Sequence, residues 1–122
     1  VFEADLLVTD WSGIAYEYAF TTKKPVLFVD TPMKVMNPEY QKIDTVPINI
    51  WMRDVIGDRL DPAKTEETES KVRNLLEQKD AYHDRIEKFV EEYVYNLGNS
   101  AEVGAKYIGQ AVQEQIKKAK EQ

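Results

Sequence analysis

Cysteine is absent from the sequence, so neither a disulfide scaffold nor a thiolate metal site is available to it. Histidine occurs once, at His83, which leaves too few nitrogen ligands for a typical zinc centre. Long apolar runs are also missing: the longest are of strand length, and no segment reads as a membrane span. Positive charge is in deficit, with 16 Lys and Arg against 22 Asp and Glu and a net charge of -6. Binding to a nucleic-acid backbone needs clustered cations that release counterions, so nucleic acid is not an expected partner. The opening Val1-Phe2-Glu3-Ala4-Asp5 lacks the charged and apolar regions of a signal peptide, and a cytoplasmic setting is expected.

What is present suits one compact domain. The 122 residues are 43% hydrophobic and 31% charged, an ordinary globular balance with enough apolar surface for a core. Asp5 to Val8 form a short apolar run that ends at Thr9-Asp10, as a buried strand does on meeting a loop. From Ser12 onward Ile14, Ala15, Tyr18 and Ala19 recur at helical spacing, with Ser12 available as N-cap and Lys23-Lys24 placed where cations suit the helix dipole. The spacing predicts a helix over 13–22. Pro25 then introduces Val26-Leu27-Phe28-Val29, a continuous apolar run that reads as a strand buried on both faces. Strand, helix and strand in about 25 residues form a βαβ unit. Its strands should be parallel, with both C-terminal ends at the edge of the sheet where ligands collect.

Residues 31–47 contain Pro32, Pro38 and Pro47 with little periodicity, the pattern of a long loop able to line a site. Ile48 to Met52 read as a third strand, followed by a turn at Ile56-Gly57-Asp58. The rest is helical: Thr65 or Thr68 is positioned to cap a helix with Val72, Leu75 and Leu76, and Tyr82, Ile86, Phe89, Val90 and Tyr93 mark a second. After a break at Gly98, Asn99-Ser100 cap a last helix with an apolar stripe of Val103, Tyr107, Ile108, Ala111, Val112 and Ile116. The expected architecture is α/β, a partial Rossmann-like domain with a short parallel sheet over 1–60 and a helical half over 61–122. Two or three strands are fewer than a doubly wound domain needs, so the chain is expected to be a fragment of a larger domain whose exposed sheet edge favours self-association.

Chemistry concentrates at Thr9-Asp10-Trp11-Ser12-Gly13. The first free N–H groups of a helix, a hydroxyl and a glycine meet there at the C-terminal edge of a parallel sheet, and these are the parts of a phosphate site. Thr9, Ser12 and Gly13 are therefore the candidate diphosphate contacts. Glu17, one helical turn on, can offer two acceptor oxygens to a ribose diol. The same residues also fit a plain cap with a solvated glutamate. Asp10 would repel a phosphate and is expected to tie the loop through backbone N–H groups. Arg53 is a candidate anion contact, although an ion pair with Asp54 or Asp58 accounts for it more simply. Trp11 and Tyr40 can stack on a base or merely pack the loop. Glu66, Glu67 and Glu69 read as a solvated helix start and His83 as a surface residue.

The stretch Ala4-Asp5-Leu6-Leu7-Val8-Thr9-Asp10-Trp11-Ser12-Gly13-Ile14-Ala15-Tyr16-Glu17-Tyr18, followed by Lys24-Pro25-Val26-Leu27-Phe28, resembles the donor-binding segment of CDP-glycerol glycerophosphotransferases, teichoic-acid-type polymerases of GT-B architecture. Gly98-Asn99-Ser100 and the helix after it resemble that family's C-terminal end. Trp11 stands where tyrosine is usual, and Gly13 replaces a second serine. The resemblance implies a transferase that moves glycerol phosphate from CDP-glycerol to a polyol phosphate acceptor in cell-wall or capsule synthesis, at the inner membrane face. It also implies that acceptor and base come from an N-terminal half outside this chain. No further cofactor is implied, CDP-glycerol being the donor substrate. Ser12-Gly13-Ile14 with Glu17 is similar as well to UDP-sugar epimerases and other GT-B nucleotide-sugar enzymes. A non-catalytic interaction domain is the remaining alternative.

Overall fold

In the computed structural model, which describes residues 1–121, the chain forms two compact units, Val1–Val90 and Glu91–Gln122. The first contains a three-stranded parallel sheet in the order β1-β2-β3, made of β1 (Leu7–Thr9), β2 (Val26–Val29) and β3 (Gly57–Leu60). Helix α1 (Ile14–Thr22) connects β1 to β2. The short helices α2 (Ile48–Trp51) and α3 (Arg53–Ile56) precede β3, and α4 (Thr68–Glu77) and α5 (Lys79–Tyr93) follow it. The second unit is built on α6 (Ser100–Lys120).

The expected βαβ unit is present, with Leu7 opposite Val26 and Thr9 opposite Phe28 in parallel register. Its centre is β2, where Val26, Leu27 and Phe28 are all fully buried, as a strand covered on both faces must be. Each such side chain contributes about 1.5–3 kcal/mol relative to exposure. Ala15, Tyr18 and Ala19 of α1 are buried, so the helical spacing in the sequence does mark the core-facing side. Leu75 of α4 and Tyr82, Ile86, Phe89 and Val90 of α5 add to the same core. Phe89 stacks on Phe20 with ring centroids 5.8 Å apart and meets Trp51 edge-on at 5.6 Å.

The third strand is not where the sequence pattern placed it. Ile48 to Trp51 are helical, and Met52 joins them through a bond from its N–H to the Ile48 carbonyl. Pro47 stands at the N-cap and its carbonyl accepts from Ile50. The cause lies in the period: Ile48, Met52, Val55 and Ile56 recur at helical intervals, and Met52 and Ile56 are the buried members. The strand is the segment read as a turn. Gly57 can lie against β2 because it has no side chain: a Cβ there would be 1.8 Å from the Val26 carbonyl oxygen. Its charged residues are neutralised by neighbours, Asp58 by Lys71 at 2.9 Å and Arg59 by Asp54 at 2.6 Å.

Helix starts also depart from expectation. None of the expected side-chain caps forms: Gly13 occupies the N-cap of α1, Glu67 that of α4 and Asn99 that of α6, each without a side-chain cap bond. Thr65 instead opens a single turn of 3₁₀ helix, Thr65–Glu67. The other end of α1 follows the dipole argument. Lys23 takes the left-handed conformation at the C-cap, with φ of 57°, and its Nζ bonds the Phe20 carbonyl. In the second unit Gly98 has φ of 82°, where glycine is favoured, just before α6 begins. The apolar residues Val103, Tyr107, Ile108, Val112 and Ile116 of α6 are exposed.

Two predictions follow from this packing. Gly57→Ala should lower stability by about 1–3 kcal/mol or more, because backbone atoms must move to admit the methyl. Urea unfolding followed by circular dichroism measures it. Tyr18, whose hydroxyl donates to the Ala4 carbonyl at 2.9 Å, has its pKa raised, first by burial and further by Asp5, against a lowering bond to Thr22. A raised folded pKa gives stability that is present below the unfolded tyrosine value of about 10 and is lost as pH climbs through the folded value. The urea midpoint should fall above pH 10, less steeply in Tyr18→Phe.

Candidate functional site

The site starts where β1 ends. Thr9, the last residue of the strand, is half-buried opposite Phe28, and the chain then turns through Asp10, Trp11 and Ser12 into α1. The Asp10 carboxylate accepts the Ser12 N–H at 3.1 Å, the loop-tying role expected of it. Ser12 does not cap the helix, because the capping position has moved one residue on to Gly13. The hydroxyl of Ser12 is thereby released from that duty, and the residue is exposed.

Gly13 has ordinary helical angles, φ of -61° and ψ of -22°, and a Cβ built on it meets no atom within 4 Å. Neither backbone conformation nor crowding within the chain demands glycine at this position. The first turn of α1 is closed by Ala15 and Tyr16 N–H groups bonding the carbonyls of Ser12 and Gly13. Among the described residues, no hydrogen bond uses the N–H of Gly13 or Ile14. Two donors at the positive end of a helix are therefore left without a partner among those residues. Glu17 is exposed and makes no ion pair among the described residues; its Cα lies about 6 Å along the helix from Gly13 at 1.5 Å per residue.

Arg53 lies beneath this turn. It is the one buried charged residue among those described, with 0% exposure. Its ion pair is with Asp30, Nη2 to Oδ1 at 2.6 Å, not with Asp54 or Asp58, which are taken by Arg59 and Lys71. The expected local pairing fails because α3 turns Arg53 inward while Asp54 stays on the exposed side. The guanidinium lies 3.8 Å from the centre of the Trp11 ring and 4.7 Å from that of Phe28. Its Nε and Nη1 are buried without a hydrogen-bond partner. Trp11 is held in addition by its Nε1–H, which donates to the Thr31 carbonyl at 2.8 Å. The Tyr16 hydroxyl donates to the Asn49 carbonyl at 3.1 Å, and burial raises its pKa while the nearby Arg53 charge offsets part of that rise.

A cavity of about 270 Å³ opens beside the turn, lined by Trp11, the start of the long loop at Met33 to Asn37, Tyr40, and Pro47 with Asn49 and Ile50. The structure thus brings Thr9, Ser12, Gly13 and Glu17 onto one strand-to-helix junction and puts Trp11 and Tyr40 on one cavity wall. Arg53, the candidate anion contact, sits inside with no exposed surface. Asp30 and Tyr16 were not singled out in the sequence. Asp30 directly follows the buried strand β2, and that position at the sheet edge was its available signal. His83 is half exposed beside Asp84 on α5, at 3.6 Å, and Glu69 pairs with Arg73 one turn away, in keeping with solvated helix surfaces. Among the described residues no cluster of potential ligands could hold a metal ion, and no helix is long and apolar enough to cross a membrane.

A parallel sheet whose first strand runs directly into an open helix N-terminus defines an α/β protein of partial Rossmann-like type. The family model for CDP-glycerol:poly(glycerophosphate) glycerophosphotransferase matches residues 1–109, and the chain belongs to that family. Membership indicates glycerophosphotransferase activity, and with it a nucleotide-linked donor and a polyol-phosphate acceptor in general terms. No match was found among curated proteins or among solved structures.

The junction makes a prediction of its own. Gly13→Ala should leave stability unchanged or raise it by about 0.4–1 kcal/mol, since alanine fits the helical backbone there and narrows the unfolded ensemble. Chemical denaturation of the variant beside wild type measures it.

Proposed function

We propose that the junction of β1 and α1 binds the nucleoside-diphosphate end of CDP-glycerol, as the donor site of a glycerophosphotransferase that extends a cell-wall or capsule polymer. The observation that carries this reading is Gly13: a glycine that the fold does not need, standing before two free N–H groups at the C-terminal edge of a parallel sheet. A missing side chain at such a place lets a phosphate reach backbone donors that a Cβ would hold it away from. Family membership supplies the chemical class of the ligand.

In this reading the diphosphate lies over Ser12 and Gly13, with the Ser12 hydroxyl as a further donor and Thr9 at the strand end beside it. Glu17 accepts from the ribose hydroxyls one turn along. The work of the site in transfer is electrostatic. Fixed N–H dipoles stabilise the charge that builds on the departing nucleotide as the bond between the two phosphates breaks. The acceptor hydroxyl and the base that activates it are supplied from outside this junction, and no residue here is assigned to that step. Arg53, without exposed surface, is not among the ligand contacts in this reading.

Titration calorimetry with CDP-glycerol, CDP and UDP tests the proposal, using wild type with Ser12→Ala, Gly13→Ala and Glu17→Ala. Binding that prefers cytidine ligands and weakens in all three variants is the expected result, with each lost charged hydrogen bond worth about 1.5–3 kcal/mol, tenfold or more in affinity. Preference for UDP would redirect the reading to a nucleotide-sugar enzyme. Wild-type affinity in all three variants would remove the site from this junction.

A further inference from the structure

We propose that Arg53 is a positioning residue for the ligand turn, acting through Trp11 to hold residues 10–13 in one conformation. The inference rests on the donor-site reading above and concerns how that site is kept in shape.

The energetics of Arg53 argue against a role in stability alone. A guanidinium with no exposed surface loses its hydration, and this one regains a single charged hydrogen bond, to Asp30, while Nε and Nη1 find no partner. Buried ion pairs of this kind can be replaced by apolar side chains of similar volume with little loss, or even some gain, of stability. A methionine would fill the space between Phe28 and Trp11 without that burden.

What an apolar side chain would not supply is the geometry. The flat cation spans the ends of two adjacent strands: Asp30 follows β2, Phe28 belongs to β2, and Trp11 lies two residues after β1. Stacking at 3.8 Å fixes the plane of the indole, and the Nε1–H bond to Thr31 fixes its direction. Trp11 is bonded directly to Ser12, so holding the indole limits where the backbone of Ser12 and Gly13 can go. Asp10 closes the same turn from the other side through the Ser12 N–H. Without the cation, the turn is held by the Trp11 and Asp10 bonds alone, and an exposed segment samples other states.

Arg53→Met tests this in two measurements. Hydrogen exchange of the Ser12 amide, which is bonded to Asp10, reads the turn without ligand, and calorimetry with CDP-glycerol reads the site. If the competent turn falls to about a tenth of the population, the Ser12 amide exchanges near its unprotected rate and affinity drops about tenfold. The melting temperature and exchange in β2 should stay near wild-type values. Arg53→Lys, which keeps the charge but not the flat face, should also exchange quickly at Ser12 and stands in if the methionine variant does not fold.

Wild-type exchange of the Ser12 amide in these variants would overturn the inference, as would quick exchange with unchanged affinity. A general fall in melting temperature with faster exchange throughout would also overturn it, by making Arg53 a stability residue. Failure of wild type itself to bind any nucleoside diphosphate takes down the donor reading instead, and the exchange result distinguishes that case.

Discussion

A buried cation dictates what can surround it, and the first unit of this chain is arranged around one. Arg53 has no water to fall back on, so Asp30 must stand at the end of β2 and two aromatic rings must lie within reach of its guanidinium. These requirements reach through three parts of the sequence. They make the end of β2 polar directly after a strand with none of its first three side chains exposed. They hold Trp11 down at the end of β1, and they need α3 short and turned so that Arg53 enters while Asp54 remains outside.

The sheet provides the frame for that arrangement through the same economy of side chains. β3 can approach β2 because Gly57 presents only backbone, and its charged members find Lys71 and Asp54 instead of core. A strand composed as Gly-Asp-Arg-Leu is stable here as an outer strand of the three, where Asp58 and Arg59 stay half-buried. The strand-to-helix junction is then a consequence of topology: parallel strands place the ends of β1 and β2 together, and α1 begins at that edge.

Much of this was legible in the residues, for reasons that differ from part to part. The apolar run Val26 to Val29 and the spacing of Ile14, Ala15, Tyr18 and Ala19 report burial directly, and burial is what the chain responds to. The Thr9 to Gly13 junction was visible because strand end, glycine and helix start coincide within five residues, and the family match agrees with the resemblance those residues carry. Ile48 to Met52 misled because a short apolar run has no period of its own; the helical interval appears only when Val55 and Ile56 are included. β3 was hidden by its charges, whose partners are distant in sequence. The pairing of Arg53 with Asp30, 23 residues apart, could not be chosen over nearer carboxylates without knowing which face of α3 turns inward. Capping was over-read at Ser12, because the helix starts one residue later and Gly13 holds the N-cap.

The long segment after β2 deserves description as a stirrup rather than a loose loop. Near its start, Thr31 takes the Trp11 indole N–H, and at its far end Asn49 takes the Tyr16 hydroxyl, so its two feet are fastened to the turn before α1 and to α1 itself. Most of the chain entropy of closing it is therefore already spent in the folded protein. Residues 32–48 inherit a fixed span, and whatever shifts α1 at one foot or the indole at the other is felt along the whole arc.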